Sequence, residues 1–233
     1  MRLISIVCAA AALAAVATPL FADSDTPQVL PDGLQLVEKD SRGEIYSNPD
    51  VDWSVYDQIR LDPATVAFRK NWQRDQNRNR PFKVDASDME RIKANLSELF
   101  NEVFTKELTE KGGYVMTSES ADNVMRITPQ IVNLDVFAPD TMQPYVERDY
   151  TRQAGRMTLK LEIYDSVTGD LLATASDRQD APYRAWMQWT TRVSNEVDAK
   201  RMLENWARDL RKRLDEARST SAQVDSDLAQ AKE

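Results

Sequence analysis

Residues 155–179 constrain the fold more than any other stretch of this chain. Apolar residues fall at every second position, which is the period of a β-strand with one apolar face; they are Met157, Leu159, Leu161 and Ile163. Turn-forming Asp, Ser, Thr and Gly occupy 165–170, and an apolar segment follows. The pattern predicts a β-hairpin. Because two strands alone are not stable in water, it also predicts further strands or helices on the apolar face.

Two long helices are predicted around this hairpin. Apolar residues recur at steps of three and four through 86–112 and again through 195–217. Ser87 with Glu90 matches a capping box for the first helix, and Asp85 is an alternative cap. Gly112 and Gly113 are expected to end it. The predicted fold class is α+β, a two-layer sandwich in which a mixed, mainly antiparallel sheet carries both helices on one face.

A long strand is predicted at 124–136, and its apolar pattern changes phase part-way along. The first phase contains Met125, Ile127 and Ile131, and the second contains Val132, Leu134 and Val136. A shift of one residue would move every later side chain to the other face of the sheet. We therefore expect a β-bulge near Pro129.

The N-terminus has the pattern of an export signal. Arg2 precedes an apolar, Ala-rich run over 3–16, and Ala22 offers a small residue for cleavage. The alternative is a buried apolar helix. Val7 stands directly before Cys8, where a lipoprotein signal has a small residue, so no lipid anchor is expected. The predicted organisation is a signal peptide at 1–22, a polar linker at 23–43, one α+β domain at 44–217 and a disordered polar tail at 218–233, located in the periplasm.

Composition excludes several kinds of function. The chain of 233 residues has no histidine, which excludes Ser-His-Asp triads, Cys-His dyads and the usual zinc hydrolase sites. Its formal charge of −8 argues against binding nucleic acid, which needs a positive surface. Cys8 lies in the predicted signal, so the exported chain would have no disulfide. We predict no catalytic residue, metal site or cofactor, and consider an enzyme the less favoured class.

Two segments are candidates for binding a partner. The first is basic, covers 69–83 and contributes Arg69, Lys70, Trp72 and Arg74. A solvated loop without a specific partner is the competing interpretation. The second follows the hairpin and is rich in aromatic residues, which form either a lid over the core or an exposed recognition surface. Its candidates are Arg178, Tyr183, Trp186 and Trp189. Arg126, on the outward row of its strand, is a further candidate.

Several segments together resemble a known family. These are YSNPDVDWSVYDQIRLDPATVAF, the loop with Lys70-Asn71-Trp72, KELTEKGGY, LEIYDSVTGDLLA, the pair Asp177-Arg178 and the triplet Asn205-Trp206-Ala207. The chain is similar over most of 40–217 to DUF3313, bacterial envelope proteins of unknown function. Many of its members look like lipoproteins, and the Cys8 context departs from them. The resemblance implies location and fold, and no activity comes with it.

Three functions are compatible with these features. The first is a non-catalytic envelope protein that binds a protein or glycan partner through edge strands and loops. The second is an anionic-lipid or lipid-carrier protein, for which tryptophans would form an interfacial surface. The third is a carboxylate-dependent cell-wall hydrolase using Asp50, Asp52 and Asp62. The oligomeric state is left open by the sequence.

Overall fold

The computed structural model describes residues 30, 33–78, 83–136, 150–151, 155–181, 188–189 and 192–230. An eight-stranded sheet is formed by β1 (Gln35–Lys39), β2 (Gly43–Ser47), β3 (Gln58–Leu61), β4 (Thr65–Phe68), β5 (Val115–Met116), β6 (Val124–Val136), β8 (Gly155–Asp165) and β9 (Leu171–Asp180). A separate two-stranded pair is formed by β7 (Tyr150–Thr151) and β10 (Gln188–Trp189). The helices are α1 (Trp72–Asn77), α2 (Ala86–Lys106) and α3 (Arg192–Gln230).

The strand order confirms a mixed, mainly antiparallel sheet. It runs β1-β2-β9-β8-β6-β3-β5, and β4 follows β3 along the same side of β6. The neighbouring strands β1, β2, β9, β8 and β6 are antiparallel to one another in that order. β3 and β4 run parallel to β6, and β3 runs parallel to β5. β1 therefore forms one edge, and β5 and β4 lie at the other.

The predicted hairpin is the β8–β9 pair. Its apolar row is buried from Met157 to Ile163. Two backbone N–H groups of the turn donate to the Asp165 carboxylate at 2.8 Å, and Gly169 adopts φ +77°. The turn chemistry and the two-residue period thus give the structure that the sequence predicts.

The bulge in β6 lies four residues beyond the predicted position. Pro129 stays in register with Leu161, and the register shifts between Val132 and Asp135, where Asn133 has φ +54°. Pro129 is tolerated in a central strand because it lies opposite the break between β3 and β4, where its missing N–H leaves no ladder bond unmade. The expectation of a bulge near Pro129 is corrected accordingly.

Both long helices pack on the apolar face of the sheet, which confirms the two-layer α+β fold. Phe100 and Phe104 of α2 stack with 3.9 Å between ring centroids, and they share one core with Leu203 and Trp206 of α3. The cap of α2 is Asp85, the alternative to Ser87, and its capping box is completed by Asp88. A π-helical turn, Glu107–Lys111, follows α2, and Gly113 leaves it with φ +70°.

Two predicted boundary segments contain regular structure. β1 lies within 23–43, the stretch predicted as a linker, and α3 continues through most of 218–233, the stretch predicted as a disordered tail. Ser221 anchors that part of α3, since its hydroxyl accepts the N–H of Trp53 at 3.1 Å. Arg218 lies over the Tyr114 ring at 5.0 Å. The predicted signal peptide at 1–22 is outside the described residues.

No helix within the described ranges has the length and apolar character needed to cross a membrane.

Candidate functional site

A small cavity lies between the β1–β2 edge of the sheet and α3. Its volume is about 120 Å³, and we call it the edge pocket. Apolar side chains from β2, β8, β9 and α3 line it; they are Ile45, Leu159, Leu161, Ala175, Trp206 and Leu210. Charged side chains from β1, β2, β9 and α3 surround this apolar lining. The edge pocket therefore combines an apolar floor with a charged rim, which is the usual composition of a binding site.

Close approach of β2 to β9 shapes one wall. A Cβ on Gly43 would lie 1.7 Å from the backbone oxygen of Ser176, so only glycine fits there. The β1–β2 turn beside it is held by Asp40, whose carboxylate accepts the N–H groups of Arg42 and Gly43 at 2.8 Å. These contacts lower the pKa of Asp40, led by the backbone N–H of Arg42. The wall is thus fixed by backbone geometry.

A buried tryptophan of α3 is hydrogen-bonded to the sheet within the edge pocket. The indole Nε1–H of Trp206 donates to Oδ2 of Asp177 at 2.7 Å. The other oxygen of Asp177 lies 4.0 Å from Nε of Arg42, which is too far for a hydrogen bond. A carboxylate has about four acceptor positions. Asp177 therefore points a partly used carboxylate at the edge pocket from a fixed position.

An ion pair spans the mouth. Arg213 of α3 donates to Glu38 of β1, and their side chains are 41% and 52% exposed. Exposed pairs contribute about 0.2–1 kcal/mol, so this link opens easily. Asp209, one turn before Arg213, is exposed beside it.

The rim has an excess of negative charge. With Lys39, which pairs with Glu44 at 3.1 Å, three cations face five carboxylates, a local balance of −2; the cations are Lys39, Arg42 and Arg213, and the acids are Glu38, Asp40, Glu44, Asp177 and Asp209. The pKa of Glu44 is lowered, mainly by its hydrogen bond with Lys39. At neutral pH these groups present a negative field around an apolar floor.

The basic segment predicted from the sequence is organised differently. Trp72 is only 1% exposed: its Nε1–H donates to the Val136 carbonyl at 2.8 Å, and its ring stacks on Phe68 at 4.1 Å. Trp72 is therefore a core residue, and the partner-binding role predicted for it is corrected. An indole with an apolar body and a donor is stabilised by such a buried site.

Acidic partners hold much of the positive charge around α1. Arg69 pairs with Asp75 and with Asp135, each at 2.8 Å, and Arg74 pairs with Asp75 at 3.0 Å. The hydrogen bond to Arg69 is the first cause of the lowered pKa of Asp75. Lys70 and Arg78 are exposed nearby. We call the group Arg69, Lys70, Arg74 and Arg78 the α1 surface.

The remaining predicted site residues are not brought together. Arg126, at the start of β6, donates to Asp62 at 2.7 Å, and Arg178 on β9 donates to Asp180 at 3.1 Å. Both are exposed, and each lies apart from the α1 surface. That surface contacts the end of β6, where the Arg69 N–H donates to the Leu134 carbonyl. Tyr183 and Trp186 lie outside the described residues. Trp189 belongs to β10 by its backbone, and its side chain is likewise outside the description.

The carboxylates considered for hydrolysis have local structural roles. Asp52 accepts the N–H of Ser54 at 2.9 Å and caps the 3₁₀ turn Trp53–Val55. Asp62 accepts from Arg126 and from the hydroxyl of Thr128. Asp50 is exposed. Among the residues that the structure covers, no three Asp, Glu or Cys side chains are grouped to hold a metal ion.

The edge pocket could not be predicted from the sequence because its walls come from three separate segments of the chain, within 38–45, 159–177 and 206–213. One signal was present. The pair Asp177-Arg178 and the triplet Asn205-Trp206-Ala207 are among the segments that carry the family resemblance, and Asp177 and Trp206 meet here through a hydrogen bond. The presence of both segments in the resemblance was the sequence signal that could have indicated this site.

The chain belongs to the DUF3313 family of proteins of unknown function, whose model matches residues 26–210. No curated protein matches it.

Solved structures similar to this chain are distant. PelC from Paraburkholderia phytofirmans, a dodecamer, has 7% identity and a TM-score of 0.34, with 71% of this chain and 96% of that chain covered. A DUF330 protein from Xanthomonas campestris has 11% identity and a TM-score of 0.39, with coverages of 78% and 93%. A PDZ domain protein from Parabacteroides distasonis has 12% identity and a TM-score of 0.36, with coverages of 70% and 34%. At such scores the likeness carries no functional information.

Proposed function

We propose that this protein is an exported, non-catalytic protein of the bacterial envelope that binds a partner protein through the edge pocket. The observation that carries the proposal is the pocket itself: an apolar floor, a fixed carboxylate at Asp177 and a mouth spanned by the exposed Arg213–Glu38 pair. Export is supported by the signal pattern at 1–22. The absence of histidine from the sequence supports a binding role over catalysis.

The size of the edge pocket favours a protein partner over a glycan. A cavity of about 120 Å³ accommodates one side chain, whereas pockets for larger ligands measure about 300–1,000 Å³. Trp206 is only 4% exposed, so its face is not available for stacking on a sugar ring. An anchoring side chain from another protein is the occupant that fits both facts.

Binding to anionic lipid is the second candidate. Lys70, Arg74 and Arg78 are exposed on the α1 surface and would attract negative headgroups. Fewer tryptophans are available to form an interfacial surface, since Trp53 and Trp72 are both buried. Flotation with vesicles that contain or lack anionic lipid tests it. Lipid-dependent flotation that is lost in Lys70→Gln/Arg74→Gln would support this candidate.

Site-specific photocrosslinking in intact cells tests the main proposal. A photoreactive amino acid replaces Arg213 at the pocket mouth, and in a matched control it replaces Glu98, which is exposed on α2. We expect one reproducible protein adduct from position 213 that is absent from position 98. Adducts that are the same from both positions, or absent from both, would contradict a partner at the edge pocket.

A further inference from the structure

We propose that the edge pocket receives an arginine or lysine side chain of the partner, an inference that rests on the proposed function. The first argument is shape. A cavity of about 150 Å³ holds a benzene molecule, so the roughly 120 Å³ here suits one long side chain. Arginine and lysine have apolar stems that pack on an apolar floor while the charged head stays at the rim. Leu159, Leu161 and Leu210 provide that floor.

The second argument is charge. The rim has two more negative than positive charges when Lys39 is counted, so a cation would be attracted and an anion would be repelled. Asp177 and Asp209 are central because they flank Arg42, which hydrogen-bonds Asp40 instead of either of them. Within the described part of the chain, Asp177 accepts a side-chain hydrogen bond from Trp206 alone. Charge-assisted hydrogen bonds from a guanidinium or ammonium group fit its remaining acceptor positions.

The third argument concerns how the partner approaches. β1 is a free edge, but it is a poor template for an added strand because its register is interrupted between Leu36 and Glu38 and it ends in charged residues. Main-chain pairing along β1 is therefore disfavoured. The edge pocket lies between that edge and α3, so an inserted side chain is the contact that fits the geometry. The Glu38–Arg213 pair already places a guanidinium at the mouth, and a partner cation would exchange with it.

The experiment uses the chain from residue 23 and the peptide acetyl-Ala-Arg-Ala-amide. Its counterpart contains citrulline, which has nearly the same shape as arginine without the charge. Binding is followed by the NMR signal of the Trp206 indole N–H, which Trp206→Phe assigns. We expect the arginine peptide to shift this signal and the citrulline peptide to bind about tenfold more weakly, as expected when charged hydrogen bonds are lost.

Two variants of equal net charge complete the test. Asp177→Asn/Asp209→Asn should weaken the arginine peptide about tenfold or more, whereas Asp122→Asn/Asp180→Asn, at exposed positions away from the floor, should leave binding unchanged. Equal affinity of the two peptides, or no shift up to about 10 mM peptide, would overturn the inference. If photocrosslinking from position 213 still captured a partner in that case, the proposed function would stand and only its cationic occupant would be rejected.

Discussion

The edge pocket and the α1 surface carry opposite charge and lie toward opposite edges of the sheet. Around α1 the charged residues are neighbours in sequence, and Arg69 and Arg74 are held by Asp75 and Asp135. Around the edge pocket the charged residues come from distant segments, and among the described residues Asp177 accepts a side-chain hydrogen bond from Trp206 alone. A dense run of charge in a sequence therefore does not identify the charge that is available to a partner.

Tryptophan illustrates the same difference. Trp72 and Trp206 are both buried and both donate an indole N–H. Trp72 donates to a backbone carbonyl and closes the core, whereas Trp206 donates to a carboxylate that faces a cavity. The first contact stabilises the fold, and the second also positions a charged group at the proposed site.

The largest effect is expected at Trp72. Trp72→Ala removes a ring that is 1% exposed and stacked on Phe68, and it should lower the free energy of unfolding by about 3–5 kcal/mol. Arg74→Ala, at an exposed position next to the same helix turn, should change it by less than about 0.5 kcal/mol. Urea denaturation measures both. A loss below about 1 kcal/mol for Trp72→Ala would mean that this residue is not a core anchor.

A smaller loss in the free energy of unfolding is expected when the wall of the edge pocket is altered. Gly43→Ala forces β2 away from the Ser176 carbonyl and should cost about 1–3 kcal/mol, as overpacking does. Photocrosslinking from position 213 should fall with it, because the pocket loses its shape. Val37→Ala, at a side chain 60% exposed on β1, is the control for a harmless change on the same edge. Unchanged stability of Gly43→Ala would refute the close packing of β2 on β9.

Trp206→Phe isolates one hydrogen bond. The ring is largely kept and the donor to Asp177 is lost, so the free energy of unfolding should fall by about 1 kcal/mol. Asp177 is partly exposed and is rehydrated in the variant, which keeps the loss small. The affinity for the arginine peptide, followed in this variant by the backbone amide signal of Asp177, should fall as well, because the carboxylate is no longer held in place. If neither quantity changed, the bond would have no role in positioning the carboxylate.

The smallest effect concerns pH at the α1 surface. Hydrogen bonds from Arg69 and then Arg74 lower the pKa of Asp75 below its ordinary value of 3.8. A lowered pKa in the folded state means that the stabilising contribution is full above the unfolded value and is lost as pH falls through the folded one. Carbon-13 NMR of the Asp75 carboxyl should therefore show a midpoint below 3.8. In Arg69→Gln/Arg74→Gln the midpoint should rise. An unchanged midpoint would mean that neither arginine lowers the pKa of this carboxyl.

Short-range patterns account for what the sequence predicted correctly. The two-residue period of β8, the turn at Gly169 and the helix end at Gly113 depend on neighbouring residues, so a single chain reveals them. The phase change in β6 was visible, but its position was not. Any residue between Ile131 and Leu134 could absorb it, and the break between β3 and β4 explains why Pro129 did not need to.

Features that depend on distant parts of the chain could not be predicted, because a single sequence does not show which segments meet. β1 and the end of α3 are too polar to be predicted as structured, and they are ordered by partners elsewhere in the chain, such as Trp53 for Ser221. The burial of Trp72 depends on Phe68 and on Val136, 64 positions away. The edge pocket depends on three segments at once, so only its separate parts were visible.

The most direct test of the account is a comparison of two charge-neutralised proteins in capturing the partner identified by crosslinking. One is Asp177→Asn/Asp209→Asn at the edge pocket, and the other is Lys70→Gln/Arg74→Gln on the α1 surface. With equal folded fractions, the account predicts that capture from solubilised envelopes falls about tenfold or more in the first and stays near the wild-type level in the second. The reverse result, with capture lost only when the α1 surface is neutralised, would contradict it.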